Sequence, residues 1–138
     1  MTQRLLPLLF AVVLLVPAHA RASDAARNAY TRALAQERTV RDASDHATAA
    51  SIRRVIASYE RIVRRYPASG YADNALWQAA NLSLLAFDRS GDEADRKDAT
   101  RLLKMLTKGY SSSSLVAQAE TTLQDIQNSS AAGTSFRR

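Results

Sequence analysis

The chain contains no cysteine. That excludes a disulfide framework, a thiolate zinc site and a thiol nucleophile, and it leaves no acceptor for a lipid anchor at the start of a mature chain. Histidine is scarce too, with only His19 and His46 in 138 residues. Hydrolytic zinc sites take about three protein ligands, usually rich in histidine. His46 stands by itself in a polar connector, and no metal or cofactor is expected. Proline is confined to Pro7, Pro17 and Pro67, and there are four glycines. No Val/Ile/Thr-rich segment alternates as a strand would, and no glycine-rich phosphate loop occurs. The serines from Ser111 to Ser114 have no base at motif spacing and read as a helix-entry linker. Asp92, Glu93, Asp95 and Asp98 form the one acidic cluster. It lacks the convergent oxygen loop that calcium needs. A helix start explains it, through the dipole and through expected pairs Asp92–Arg96 and Glu93–Lys97. The expectation is a protein that is not an enzyme.

What is present is alanine, leucine and charge. Residues 1–20 read as an export signal. Arg4 supplies the positive start, Leu5 to Ala20 is a charge-free run of 16 residues, and Ala18-His19-Ala20 is a small-x-small cleavage site. The run is shorter than the ~20 residues of a membrane-spanning helix. A periplasmic or secreted protein follows, with no stable membrane anchor after cleavage. Export also argues against nucleic acid as a partner. Residues 21–70 hold ten basic and five acidic side chains, whereas residues 71–138 hold eight of each. The basic excess therefore falls on the first half, notably Arg53, Arg54, Arg61, Arg64 and Arg65. A solvated helix face accounts for such a run, and an anionic envelope polymer such as peptidoglycan is the alternative partner.

Five helices are predicted, and the fold class is all-α. The first spans about Asp24 to Asp42, with Ser23 as N-cap and Ala26, Ala29, Tyr30, Ala33 and Leu34 on one face. The second spans about Ala49 to Arg65 and the third about Tyr71 to Arg89. Gly91 can take the left-handed conformation that ends a helix. The fourth spans about Glu93 to Lys108 and the fifth about Leu115 to Gln127. The domain is placed at 21–128, followed by a disordered tail at 129–138. Pro67 stops the second helix, and Ser69 is available to cap the third. In that third helix Ala72, Ala75, Leu76, Ala79, Ala80, Ser83 and Phe87 make one stripe. Trp77, Leu84 and Leu85 carry apolar character further around, so the helix should be covered on more than one side.

A shift of 44 residues aligns Tyr59 with Leu103, Ile62 with Leu106, Tyr66 with Tyr110, Ser69 with Ser113 and Ala75 with Ala119. Val55 then meets Ala99, and Pro67 meets Ser111. Spacings of four, three and four keep the apolar members on one helical stripe. The junction from Tyr66 to Trp77, YPASGYADNALW, resembles that of tetratricopeptide-type repeat proteins of the bacterial envelope. More narrowly, Tyr59 to Ala119 is similar to the helical region before the catalytic domain of some bacterial N-acetylmuramoyl-L-alanine amidases. The resemblance implies an α–α superhelix. Ala80 and Ala99 would take its small positions, Tyr59 and Leu103 its large apolar ones, and Pro67 its terminal proline. The period here exceeds the usual ~34 residues, and Ser111 stands where a second proline would.

The resemblance implies a non-catalytic adaptor that holds a protein or peptide. The alternative is the front module of a split or truncated cell-wall amidase. Packing between repeats falls to Tyr59, Ile62, Tyr66, Pro67, Ala75, Ala79, Ala80, Ala99, Leu103, Leu106 and Tyr110. Candidate partner contacts are Arg61, Arg64, Arg65, Tyr71 and Trp77, with Trp77 weighted toward core packing by its alanine neighbours. Because no polar outer helix is evident, either a homo-oligomer or docking to a larger partner is expected.

Overall fold

The computed structural model describes residues 18–43 and 46–135, with side chains over 22–43 and 46–129. Residues 1–17, which carry most of the export reading, and 136–138 lie outside the described residues. The described chain is five α-helices with no strand: α1 (Ala18–Asp42), α2 (Ala49–Arg65), α3 (Ala72–Ser90), α4 (Glu93–Gly109) and α5 (Val116–Ser135).

The helix ends follow local chemistry. Thr48 caps α2, its hydroxyl accepting from the Ser51 amide at 3.2 Å. Asp92 caps α4, accepting from the Ala94 amide at 3.0 Å. Gly91 ends α3 at φ 67°, in the left-handed region, and donates its amide to the Phe87 carbonyl. Two expected caps are corrected. Ser23 lies inside α1, because alanine-rich Ala18 to Ala22 contains nothing that breaks a helix. Ser69 does not cap α3. Helix α3 begins at Ala72, with Tyr71 at the cap position, so the Ser69 hydroxyl sits too far upstream; it is buried without a partner. Helix α5 also runs past Gln127 to Ser135, since Ala131 and Ala132 favour helix and no proline intervenes. The tail expected at 129–138 is therefore helical over its described part.

Helix α3 is the centre. Ala72, Ala75, Leu76, Ala79, Ala80, Leu82, Ser83 and Ala86 are fully buried along it. A helix buried so far around its axis has neighbours on two sides: α2 on one and α4 on the other. Each neighbour contributes one apolar stripe. From α2 it is Ile52, Val55, Tyr59 and Ile62, and from α4 it is Ala99, Leu102, Leu103 and Leu106, all buried. Of the repeat-packing residues, Tyr66 and Tyr110 are partly buried against this core, while Pro67 is exposed in its turn. Phe87, placed on the buried stripe by its spacing, is only partly covered and lies 5.7 Å beneath the Arg96 guanidinium.

The 44-residue shift is visible in the backbone. Tyr66 and Tyr110 end their helices at φ,ψ of −134°, 55° and −133°, 51°. Their amides donate to Ile62 and Leu106 at 2.8 and 2.9 Å. Next come Ser69 to Tyr66 and Ser113 to Tyr110 at 3.0 and 2.9 Å, then Ala72 to Ser69 and Val116 to Ser113, both 3.2 Å. The second junction reaches this geometry without a proline. The matched serines are bonded differently: the Ser113 hydroxyl donates to Asp73 at 2.7 Å, and 44 residues before Asp73 stands Ala29, which offers Ser69 no acceptor.

Helix α1 packs on α2 through Ala33, Glu37 and Val40. Glu37 is 5% exposed and accepts from the Tyr59 hydroxyl at 2.6 Å and from Arg41 at 2.7 Å. Burial, and then the Glu37 bond, push the Tyr59 hydroxyl far above the ordinary tyrosine range, so it remains a donor. At the other edge α5 supplies a polar outer face. Leu76, Ala80 and Ser83 of α3 are buried, while Glu120, Gln124 and Gln127, 44 positions on, are exposed. The expected want of a polar outer helix is thus corrected, because Leu123 and Ile126 pack inward against the core and leave Glu120, Gln124 and Gln127 to solvent.

The alanines of α3 set how near α2 and α4 lie. Ala79→Leu should overpack the centre and cost about 1–3 kcal/mol. Urea unfolding followed by circular dichroism measures this, and an unchanged midpoint would contradict the close approach described.

Candidate functional site

Helices α2 and α4 run side by side in the same direction across α3. Three contacts between them establish this. Near their N-termini Arg53 grips Asp95 with two bonds, of 2.8 and 2.6 Å, and reaches Asp92 at 3.0 Å. Midway, Arg101 pairs with Glu60 at 2.6 Å. At the C-terminal ends the Tyr110 hydroxyl donates to the Pro67 carbonyl at 2.9 Å. Asp95 is 4% exposed. The Arg53 bonds hold its carboxyl below the usual aspartate range, assisted by the Ser90 hydroxyl and opposed by burial. The expected i,i+4 pairing of the acidic cluster is corrected accordingly. Asp92 and Asp95 turn to Arg53 across the helix pair, and Arg96 takes Glu93 at i,i+3. The bidentate geometry available to Arg53 outweighs a solvated pair on the same helix.

Between α2 and α4 lies a groove of about 1040 Å³. Its apolar lining comes from Val63, Pro67, Leu76, Leu102, Met105 and Tyr110. Met105, 42% exposed, is the exposed large hydrophobic side chain of the described residues. The charged lining is Arg64, Lys97, Arg101, Lys104 and Lys108 against a single carboxylate, Glu60. Glu60 is engaged by Arg101, which also holds Asp98. Arg64, Lys97, Lys104 and Lys108 make no ion pair among the described residues. Burial holds the Tyr110 hydroxyl above its ordinary value, so it stays a donor in the groove wall.

The sequence-derived candidates fall in four places. Arg64 lines this groove. Arg61 and Arg65 line a smaller one of about 360 Å³ between α1 and α2, with Tyr66 under the Arg65 guanidinium at 5.8 Å. Tyr71 stacks on Tyr30 with centroids 5.3 Å apart, and Tyr30 in turn meets Tyr59 at 5.8 Å. Trp77 packs against the core. The five therefore do not form one site. Met105 and the α4 lysines escaped notice because residues 71–138 balance in charge. The balance hides an asymmetry: the acids of α4 are consumed in pairs, and the lysines are not. The signal was present, since Lys97, Arg101, Lys104 and Lys108 recur at four, three and four residues.

Among the described residues no group of three His, Asp or Glu side chains could hold a metal, and no helix is long and apolar enough to cross a membrane. Comparison with protein-family models, curated proteins and solved structures gave no match.

Arg53→Ala would leave Asp95 buried without its cation. Asp95 has a depressed folded-state pKa. Its contribution is complete above the unfolded value of about 4 and fades as pH falls through the lower folded value. Thermal melts should show the variant's deficit widest at neutral pH and narrowing below about pH 4. A pH-independent deficit would contradict this.

Proposed function

We propose that this chain is an exported, non-catalytic binding module of the bacterial envelope, and that its α2/α4 groove receives a protein partner. The groove itself carries the reading. It joins an apolar floor to an exposed methionine and unpaired cations, which is chemistry for recognition. Its carboxylate, Glu60, is held by an arginine instead of being poised against a nucleophile. Export is supported by the leader-like pattern of residues 1–20. The tetratricopeptide-like junction supports a role in protein–protein contact, and the duplicated junction geometry is in keeping with a helical-repeat scaffold.

A photo-crosslinking residue at Met105, compared with one at exposed Arg38 of α1, tests the reading in the native host. Protein adducts should form from position 105 and not from position 38. Equal labelling at both positions, or turnover of muropeptides by the purified chain, would overturn it.

A further inference from the structure

The lysines of α4 form a row. Lys97, Lys104 and Lys108 lie on one stripe beside Leu102 and Met105, and all three are exposed and unpaired. Arg64 faces them from α2. At about 1.5 Å per residue, the α4 wall from Lys97 to Tyr110 is about 20 Å long. A helix of ~14 residues and about 10 Å diameter occupies roughly 1600 Å³. A groove of about 1040 Å³ suits the inward face of such a helix and leaves the outer face in solvent. Parallel helices over a third also present the ridges and grooves into which another helix packs.

We infer that the α2/α4 groove binds an acidic amphipathic helix of a partner protein, its apolar stripe on Pro67, Met105 and Tyr110 and its carboxylates along Arg64, Lys97, Lys104 and Lys108. This rests on the protein-binding reading above. The chain's own segments fit poorly. Arg4 is the only charged residue of residues 1–20, and the sequence ends in Arg137-Arg138. A second copy does no better. Asp92, Glu93, Asp95 and Asp98 are already paired with arginines. On α5 the apolar Leu123 and Ile126 already pack against the core. An anionic polymer would satisfy the cations but leave the apolar floor empty. Exposed ion pairs alone are weak and are screened by salt, so the floor must contribute.

The test uses fluorescein-labelled peptides of ~14 residues and the chain from Arg21 onward, read by anisotropy. One peptide carries leucines at i, i+3 and i+4 spacing among glutamates. A second keeps the leucines among lysines, and a third keeps the glutamates but replaces the leucines with serine. Polyglutamate is the fourth probe. The first peptide should bind. The double change Lys104→Glu with Lys108→Glu should weaken it by about tenfold or more and improve the second peptide. Met105→Glu should weaken the first peptide too, while circular dichroism confirms that both variants stay folded. Polyglutamate or the serine peptide binding equally well, with Met105→Glu silent, would replace the partner helix with an anionic polymer. Tighter binding of the lysine peptide by the unaltered chain would overturn the inference and leave the protein-binding reading standing. If no peptide binds, the inference fails. If position 105 also yields no protein adduct, both readings fail.

Discussion

Everything in this molecule is arranged around the thinness of α3. A helix faced with alanine and serine lets its neighbours approach until backbone meets side chain, and Ala75, Ala79, Ala80 and Ser83 do this along its buried length. Because α3 is thin on two sides, α2 and α4 are drawn toward each other over it. That proximity allows Arg53 to reach Asp95, Arg101 to reach Glu60 and Tyr110 to reach Pro67. The groove is what remains between two parallel rods pulled together at three points. Its floor includes Leu76 because that is where α3 carries a bulky chain instead of a methyl group.

Polar groups inside this arrangement are few and are used to fix register. Glu37 holds Tyr59, which seats α1 on α2 at one height. Asp95 ties the start of α4 to Arg53 of α2 and to Ser90 at the end of α3. Each buried carboxylate has an arginine and a hydroxyl, which removes most of the penalty for leaving water. The stability these pairs add over an apolar replacement is small. Their effect lies in excluding sliding between helices whose contacts are otherwise uniform and greasy.

The helical architecture was legible because its signals are local. Ala49 to Arg65 carries its periodicity within one segment, and Pro67 and Gly91 mark stops that no packing could override. The likeness of the two junctions was legible for the same reason: a junction of a few residues writes its own hydrogen bonds, even with Ser111 in place of proline. Helix ends without breakers were not legible, as at Ala18 and Ser135, because nothing in composition separates the last helical alanine from the next. The groove was only partly legible. Arg64 was found by its place in a basic run. The α4 lysines were hidden by acids that cancel them in a count but not in space. Arg53 was the converse, a member of the basic run whose charge is spent on Asp95. Which charges remain available is a property of pairing, and pairing between α2 and α4 spans 39 residues or more of sequence.

The backbone likeness of the two junctions has a consequence for the face that α5 presents. The two connections share the torsions of their leading tyrosines and the same backbone bonds, so α3 and α5 leave their turns alike. Side chains part company where backbone does not: the amide and carboxylate trio Glu120, Gln124 and Gln127 is exposed. Where α3 seats its neighbours on Leu76, Ala80 and Ser83, the matching face of α5 therefore meets water, and the stack closes on that side against solvent instead of oil.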